Sequence, residues 1–548
     1  MVERSRHRRR VAFAPDDRFN EFSYATEHVG DDSAIAALLS CRDALSKAAE
    51  LFSYSTVPQE RWIDQQLGRL WKKRGPFPGI GAVLAAMGVP LANFVAQALQ
   101  DMAGETGDPW EVWRNVLANP AKHLPPALAR RIDPTIAKAW QRLPAQRKSF
   151  LELLSRIDLT EDQAALLAVP EMRVEGGIDL EDEAYLRNPY LIYESTRLKP
   201  VQVGIGTVDR GVFPTEFIRR SFPLPGPSLV NTPVDARRLR ALVIQELEEA
   251  ALRGDTLRPR ADIVTALRAR GQHEPDAGAS VTADLLAVAE DETFAGEIKL
   301  VEMAGGARAY QLERLAATGD LIRSTISKRV GAPRHALSID WRAELDDFLK
   351  DLPADADERL KEERAREEKA AALAEIAAAR FSVLIGPAGT GKTTLLSVLC
   401  HRPEIHKDGI VMLAPTGKAR VRLEEVARKA GTQNYRAMTL AQFLAPSGRY
   451  DGSCQRYLLT GEGGEKGGRT VIVDECSMLT EEMMAALIEA LSGVHRLSFR
   501  PAAAAAYRRR TPFRRHCRAP STRQCGRYVS TRGAGLRRAD SPAPAGGG

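Results

Sequence analysis

The stretch FSVLIGPAGTGKTTLLSVLC, residues 381–400, constrains the fold of this 548-residue chain more than any other. It fits the pattern G-x-x-x-x-G-K-[ST], with an apolar strand predicted over 382–385 and an apolar helix after the loop. Such glycines let backbone N–H groups close on phosphate oxygens at a helix N-terminus. The residues predicted to bind nucleotide phosphates are Gly386, Pro387, Ala388, Gly389, Thr390, Gly391, Lys392, Thr393 and Thr394.

Two residues of this loop have predicted chemical roles. The Lys392 ammonium neutralises the outer phosphates, and the Thr393 hydroxyl ligates magnesium. Because the loop joins a strand to a helix, the pattern predicts an α/β fold with a parallel sheet. A purely structural loop is the alternative interpretation.

A second motif, RTVIVDECSML, predicts a strand over 470–473 that ends in two acids. Asp474 and Glu475 follow Lys392 by about 80 residues, and open α/β sheets bind ligands at the carboxyl ends of their strands. We expect Asp474 to hold the magnesium shell and Glu475 to polarise the attacking water.

Between these motifs, GIVMLAPTGKARVRLEEVA predicts a third strand that leads into a helix. The three motifs GPAGTGKTT, LAPTGKARVRL and VIVDECSML, in this order, resemble the RecD-like branch of the superfamily 1 DNA helicases. The resemblance implies a RecA-like core, hydrolysis of ATP with Mg²⁺, and 5′-to-3′ movement on single-stranded DNA.

The resemblance also implies which residues contact the DNA. Pro415, Thr416, Gly417 and Lys418 fall where these helicases touch the strand backbone, and Thr439 lies in the next family element, AMTLAQFL. Two departures are visible. The histidine usual after that threonine is absent, and residues 345–380 contain no glutamine to read adenine, so selectivity for ATP over other nucleoside triphosphates is not implied.

The rest of the chain divides by composition and periodicity. We predict a disordered start over 1–30, a helical region over 31–172 and a small mixed segment over 173–235. A winged-helix-like unit follows over 236–345, with a hairpin turn at Gly305 and Gly306. A charged, solvated linker helix over 346–380 then leads into a partial RecA-like domain over 381–497. The winged-helix-like unit could equally be a spacer or a DNA contact.

Within the helical region, FPGIGAVLAAMG resembles the hairpin of helix-hairpin-helix modules. In this interpretation Gly79 and Gly81 expose backbone N–H groups to a DNA phosphate. The motif NPY, residues 188–190, is also similar to elements of RecD-like proteins with long N-terminal regions. A plain glycine turn between two helices is the alternative.

The net charge of +7 is concentrated at one end. Residues 498–548 contain twelve arginines and one acid, a net charge of +11, which leaves −4 for residues 1–497. The six cysteines are scattered without zinc-site spacing, and no run is apolar enough to cross a membrane. We therefore expect reduced thiols and a cytoplasmic protein.

Residues 498–548 are predicted to be a disordered Arg/Ala/Pro-rich tail. The family continues with a buried strand and a GDxxQLPPIGAG-like motif, and we expect that strand to be missing here. Read one base out of frame from Arg500, the tail permits DPRQLPPIGAG, so the hypothesis is a shifted frame after about residue 497 and a truncated helicase. A genuine basic tail that binds nucleic acid is the alternative.

The function predicted from sequence is thus an ATP-dependent DNA helicase, in a form that binds nucleotide without unwinding DNA. Two alternatives stay open: a P-loop ATPase switch that does not translocate, and a DNA-binding module with a degenerate nucleotide site.

Overall fold

The computed structural model describes residues 29–52, 55–104, 106–271, 281–350, 352–386, 391–429, 431–432, 434–462, 464, 466–501 and 529–530. Of the predicted disordered start over 1–30, residues 1–28 lie outside them. Within these ranges, none of the helices has the length and apolar character that a membrane span requires. The chain divides into two compact units, the first of Met1–Ala250 with Leu257–Leu312 and the second of Ala251–Thr256 with Glu313–Gly548.

The first unit is mainly helical, as its periodicity predicts. Its helices up to residue 221 are α1 Asp31–Phe52, α2 Val57–Arg74, α3 Ile80–Ala86, α4 Ala92–Ala103, α5 Pro109–Ala118, α6 Pro120–His123, α7 Pro126–Ala129, α8 Pro134–Arg142, α9 Ala145–Ser155, α10 Glu161–Ala168, α11 Pro170–Glu175, α12 Asp182–Arg187, α13 Leu191–Thr196, α14 Ile205–Val212 and α15 Glu216–Ser221. Many begin with proline at the first helical turn, where its missing N–H costs nothing.

The prediction of a mixed segment over 173–235 is wrong in its strand content. All of these residues are described, and they form helices and loops without a strand. The apolar residues Ile205, Val208 and Val212 are buried at helical spacing in α14. Burial of one helical face therefore overrides the β propensity of this segment.

Residues 236–312 have the elements of a winged helix. They run α16 Ala236–Leu252, β1 Arg258–Pro259, α17 Arg260–Gly271, α18 Ala283–Thr293, β2 Ile298–Glu302 and β3 Arg308–Leu312. The three strands form an antiparallel sheet in the order β1-β3-β2, and the predicted turn at Gly305 and Gly306 joins β2 to β3. The unit is shorter than predicted, because residues from Glu313 onward group with the second unit.

The first unit contains a buried cluster of charges. Asp32 accepts a hydrogen bond from Arg74 and pairs with Arg210 at 3.1 Å, and all three side chains are almost fully buried. Burial alone would raise the pKa of the Asp32 carboxyl, but the two guanidinium groups outweigh it and hold that pKa below its usual value. Elsewhere in this unit the buried Tyr190 of the NPY motif donates to Asp209, which also accepts from Arg238.

The second unit is built on a parallel sheet. Its strands are β4 Phe381–Ile385, β5 Ile410–Ala414, β6 Tyr435–Thr439, β9 Lys466–Asp474, β10 Gly493–Arg500 and the two-residue β11 Val529–Ser530. They pair in the order β11-β4-β10-β9-β5-β6, and every pair is parallel. Tyr450–Asp451 (β7) and Arg456–Tyr457 (β8) form a separate hairpin.

Helices cover both faces of this sheet, which confirms the predicted α/β class. One apolar cluster joins the sheet to α19 Glu313–Gly331, α25 Leu440–Leu444 and α26 Glu481–Ala490. The other joins it to α20 Trp341–Leu349, α21 Ala356–Ala378, α22 Lys392–His401 and α24 Gly417–Lys429. A short helix, α23 Pro403–His406, lies between α22 and β5.

The expectation that no strand follows α26 is wrong. The strand β10 lies in the middle of the sheet, between β4 and β9, with Leu497 and Phe499 buried in the apolar core. Sequence inspection missed it because polar residues interrupt its apolar run. Their polar atoms are satisfied by tertiary partners, since Ser498 hydrogen-bonds Ser382 at 3.1 Å and Arg496 donates to the Ala377 carbonyl at 2.7 Å.

Arg329 of α19 stabilises the entry to this strand. Its guanidinium donates to the carbonyl of Val494 at 3.1 Å and to that of Leu491. These carbonyls lie where α26 ends and β10 begins, and the arginine is buried. Burial lowers the pKa of Arg329, so the backbone contacts offset a real desolvation cost.

The charged segment over 346–380 is not a solvated linker. It contains the end of α20 and the whole of α21, whose last two turns bury Ala372, Leu373 and Ile376 against the sheet. The predicted tail starts later than residue 498, since Ser498–Arg500 are strand. Residues 502–528 and 531–548, with the shifted-frame hypothesis, lie outside the described residues, while Val529–Ser530 pair with β4.

Candidate active site

The phosphate-binding pattern lies between β4 and α22, as predicted. Gly386 follows the strand and Gly391 precedes the helix, while Pro387–Thr390 lie outside the described residues. Gly391 has a φ of +76°, which a residue with a side chain rarely adopts. The Lys392 ammonium donates to the Gly386 carbonyl at 2.7 Å, so the lysine side chain reaches back to the residue that follows β4.

The two predicted acids lie at the carboxyl end of β9. Asp474 ends the strand with its side chain buried, and Glu475 takes a left-handed conformation with a φ of +48°. The Glu475 N–H donates to an Asp474 carboxylate oxygen at 2.7 Å. This strained turn at a sheet edge is typical of functional sites.

Arg500, which the sequence analysis assigns to the tail, also lies at this site. It ends β10, next to Asp474 in the register of the sheet. Its guanidinium donates to both carboxylate oxygens of Asp474 and, at 2.9 Å, to the Thr393 hydroxyl. No signal in the sequence pointed to this role, because the position of Arg500 depends on the central place of β10.

The charges at this site affect one another. Burial lowers the pKa of the Lys392 ammonium, the nearby Arg500 lowers it further, and Asp474 opposes the shift. The Lys392 ammonium and the Arg500 guanidinium therefore lie near each other at the carboxyl ends of β4 and β10, and the Asp474 carboxylate offsets part of their charge.

Of the predicted DNA-contact residues, Pro415, Thr416, Gly417, Lys418 and Thr439 lie at the same edge of the sheet, at the carboxyl ends of β5 and β6. Thr416 follows β5, and its hydroxyl accepts from the Ala419 N–H at 3.2 Å at the start of α24. Gly417 and Lys418 are exposed there. Thr439 ends β6, but its side chain accepts from Gln442 N–H in a capping box, so its visible role is to begin α25.

The segment 345–380, which contains no glutamine to read adenine, instead places a lysine beside Gly391 of the phosphate loop. A Cβ built on Gly391 would come within 3.5 Å of Cε of Lys369, on α21. Lys369 is mostly buried and lies 3.9 Å from Glu362. It adds positive charge near the loop, and sequence reasoning missed it because it sits within a run of charges typical of a solvated helix.

The helix-hairpin-helix interpretation of Gly79 is wrong. Its N–H donates to the Ser155 carbonyl at 2.9 Å, and a Cβ there would come within 2.0 Å of the Ile157 carbonyl oxygen. Gly81 is also buried, and a Cβ on it would meet Asn93 Oδ1 at 2.2 Å. Both glycines therefore allow close packing, and the N–H of Gly79 is not exposed to a phosphate.

The winged-helix-like unit lacks the charge expected of a DNA contact at its third helix. The α18 sequence ADLLAVAEDET contains no lysine or arginine, and Asp284, Asp291 and Glu292 are exposed. Phosphate contacts require positive charge, so this helix favours the spacer interpretation.

The side-chain oxygens predicted to bind magnesium are of the right chemical type, but they already accept hydrogen bonds within the protein. Hydroxyl and carboxylate oxygens suit Mg²⁺, and Thr393 and Asp474 supply both. Each of these oxygens, however, accepts a hydrogen bond from Arg500. Within the described ranges, no cluster of three or more His, Cys, Asp or Glu side chains is arranged to hold a metal.

Comparison with known proteins agrees with this geometry. A family model described as an AAA domain matches residues 364–496, which include Lys392, Lys418 and Asp474. This segment is therefore similar to AAA domains, a similarity that supports a P-loop ATPase. The match ends four residues before Arg500. No curated protein matches the chain.

Proposed function

We propose that this chain carries the motor domain of a RecD-like DNA helicase of superfamily 1. The domain binds a nucleoside triphosphate at Lys392 and Thr393 and contacts single-stranded DNA at Pro415–Lys418. In domains of this type, ATP and Mg²⁺ are the cofactors, and hydrolysis drives movement along the strand in the 5′-to-3′ direction. For this polypeptide we propose nucleotide binding without unwinding.

The observation that carries the proposal is that the predicted nucleotide-binding residues and the predicted DNA-contact residues lie at the same edge of the sheet. The phosphate loop follows β4, Asp474 ends β9, and the exposed Gly417 and Lys418 follow β5, the strand that pairs with β9. All three strands are parallel, so their carboxyl ends meet at one edge. A nucleotide and a DNA backbone bound there would lie near each other, as coupling between them requires.

Each group has a physical reason to bind its ligand. The N-terminus of α22 and the Lys392 ammonium offer positive charge to the nucleotide phosphates. The N-terminus of the 13-residue α24 and the exposed Lys418 offer it to a DNA phosphate. The base is left unspecified, because residues 345–380 contain no glutamine.

Nucleotide binding is tested by titrating a fluorescent ATP analogue into the whole chain and into Lys392→Ala. We expect the variant to lose at least about tenfold in affinity, since it removes the charge nearest the phosphates. Lys407→Ala is the matched control, because Lys407 is an exposed lysine of the same unit. Equal affinity of the chain and Lys392→Ala would refute nucleotide binding at this loop.

DNA binding is tested by the anisotropy of a labelled single strand at several salt concentrations. Lys418→Ala should weaken binding and reduce the salt slope by about 0.7, the amount for one phosphate contact on single-stranded DNA. Lys407→Ala should leave the slope unchanged. If Lys418→Ala behaves in the same way as this control, the contact at α24 is refuted, and bound nucleotide without DNA contact would favour the ATPase switch.

The third interpretation, a DNA-binding module with a degenerate nucleotide site, makes a different prediction. In that case DNA binding persists, and no ATP analogue binds the chain or Lys392→Ala. The two titrations together therefore separate all three functions.

A further inference from the structure

The Arg500 guanidinium lies between Asp474 and Thr393, where a metal ion would otherwise bind. The guanidinium makes two hydrogen bonds to the Asp474 carboxylate and a third, at 2.9 Å, to the Thr393 hydroxyl. The Asp474 side chain is 5% exposed and that of Arg500 is 15% exposed. The contact is therefore a desolvated, two-pronged ion pair, the strongest geometry that arginine forms with a carboxylate.

The two partners of Arg500 are the protein groups that the phosphate-loop pattern assigns to magnesium. A divalent cation at this point would need the same oxygen atoms that now accept from the guanidinium. A metal ion can enter only if the buried pair first separates, which leaves an unpaired charge.

The guanidinium also has donors to spare for a ligand. Three of its five N–H groups contact Asp474 and Thr393, which leaves two for a phosphate oxygen. Its hydrogen bond to the Thr393 hydroxyl holds it at the residue that directly follows Lys392, the lysine of the phosphate loop. Arg500 therefore lies within range of the phosphates that the loop would hold.

We propose that Arg500 takes the place of the divalent cation, so that this chain binds nucleoside phosphates independently of magnesium. This inference rests on the proposed nucleotide binding. It also gives a physical reason for binding without unwinding, because the site holds a fixed monovalent cation where hydrolysis calls for a metal ion.

The test compares the whole chain with Arg500→Ala and Arg500→Lys. A non-hydrolysable fluorescent ATP analogue is titrated with millimolar Mg²⁺ or with EDTA. For the unchanged chain we expect the two dissociation constants to agree within about twofold. For Arg500→Ala we expect Mg²⁺ to tighten binding by at least about tenfold, because Asp474 and Thr393 are released.

A second readout detects the metal itself. With Mn²⁺ as the probe, electron paramagnetic resonance should show nucleotide-dependent immobilisation of the ion by Arg500→Ala and little by the unchanged chain. Arg500→Lys keeps the charge but cannot span three oxygens, so it should fall between them. Arg359→Ala is the matched control, because Arg359 is exposed and pairs only with Glu363 among the contacts described.

The outcomes are distinct. A tenfold magnesium effect already present in the unchanged chain, with bound Mn²⁺, overturns the proposal while nucleotide binding stands. No magnesium effect in Arg500→Ala or Arg500→Lys, both shown folded by hydrogen exchange, overturns it as well. Failure of every protein to bind the analogue, with or without metal, overturns the proposed function and this inference together.

Discussion

Replacement of Phe499 by alanine tests whether β10 is a core strand. The side chain is fully buried, and its ring lies 5.4 Å from that of Phe381 on the adjacent β4. Loss of a buried phenylalanine combines lost transfer free energy with the cost of a cavity, about 3–5 kcal/mol. A domain is stable by about 5–15 kcal/mol, so this one change removes a large share of its stability.

The assay is hydrogen exchange read by mass spectrometry on peptides from β4 and β9, the two strands paired with β10. Local readout is needed because a chain of two units has no single unfolding free energy. At tenfold per 1.4 kcal/mol, exchange in these peptides should accelerate by about a hundredfold to a few thousandfold in Phe499→Ala.

Phe348→Ala is the matched control. Phe348 belongs to the same unit and is 39% exposed, so its loss should cost about 1 kcal/mol or less. If exchange in β4 and β9 changes equally little in both variants, Phe499 is not in the core. The reasoning that places β10 at the centre of the sheet would then be refuted.

Three further changes probe other parts of the chain. Because the pKa of Asp32 is lowered, its ionised form contributes stability above the unfolded pKa of about 4, and this stability is lost as the pH falls toward the folded pKa. Asp32→Asn should therefore cost about 3 kcal/mol of stability at neutral pH. In pH-dependent denaturation, the variant should also lose less stability than the unchanged chain as the pH falls. Arg329→Met leaves backbone carbonyls unpaired and should cost about 2–4 kcal/mol in pulse proteolysis, whereas Arg323→Met, at an exposed position of the same helix, should be near neutral. Gly79→Ala should destabilise the first unit by about 1–3 kcal/mol, measured by thermal unfolding. Gly68→Ala should not, because a Cβ at Gly68 would enter open space. Unchanged stability of Gly79→Ala together with weaker DNA binding would restore the DNA-contact interpretation.

The sequence is informative wherever function and fold depend on neighbouring residues. The run from Ser382 to Thr394 predicts a strand, a loop and a helix from local pattern alone, and the structure has β4 and α22 there. The same holds for the strand before Asp474. The apolar run TVIV predicts a strand over 470–473 that leads to Asp474, and β9 contains these residues, although it begins earlier, at Lys466.

Sequence inspection failed where a residue's role depends on distant partners. Ser498 and Arg496 are tolerated in a central strand because residues more than a hundred positions away satisfy them: the Ser382 hydroxyl donates to Ser498, and the Ala377 carbonyl accepts from Arg496. Gly79 has the pattern of a phosphate-binding hairpin, yet its contact with Ile157 makes it a packing residue.

The sequence by itself therefore determined the P-loop, the acidic strand end and the parallel α/β class, because these follow from short-range pattern. Only the tertiary structure decided that β10 enters the sheet between β4 and β9. That pairing carries Arg500 to Asp474 and Thr393. The physical reason is that strand order is set by the burial of whole faces and by hydrogen bonds between segments far apart in the chain, which no local period encodes.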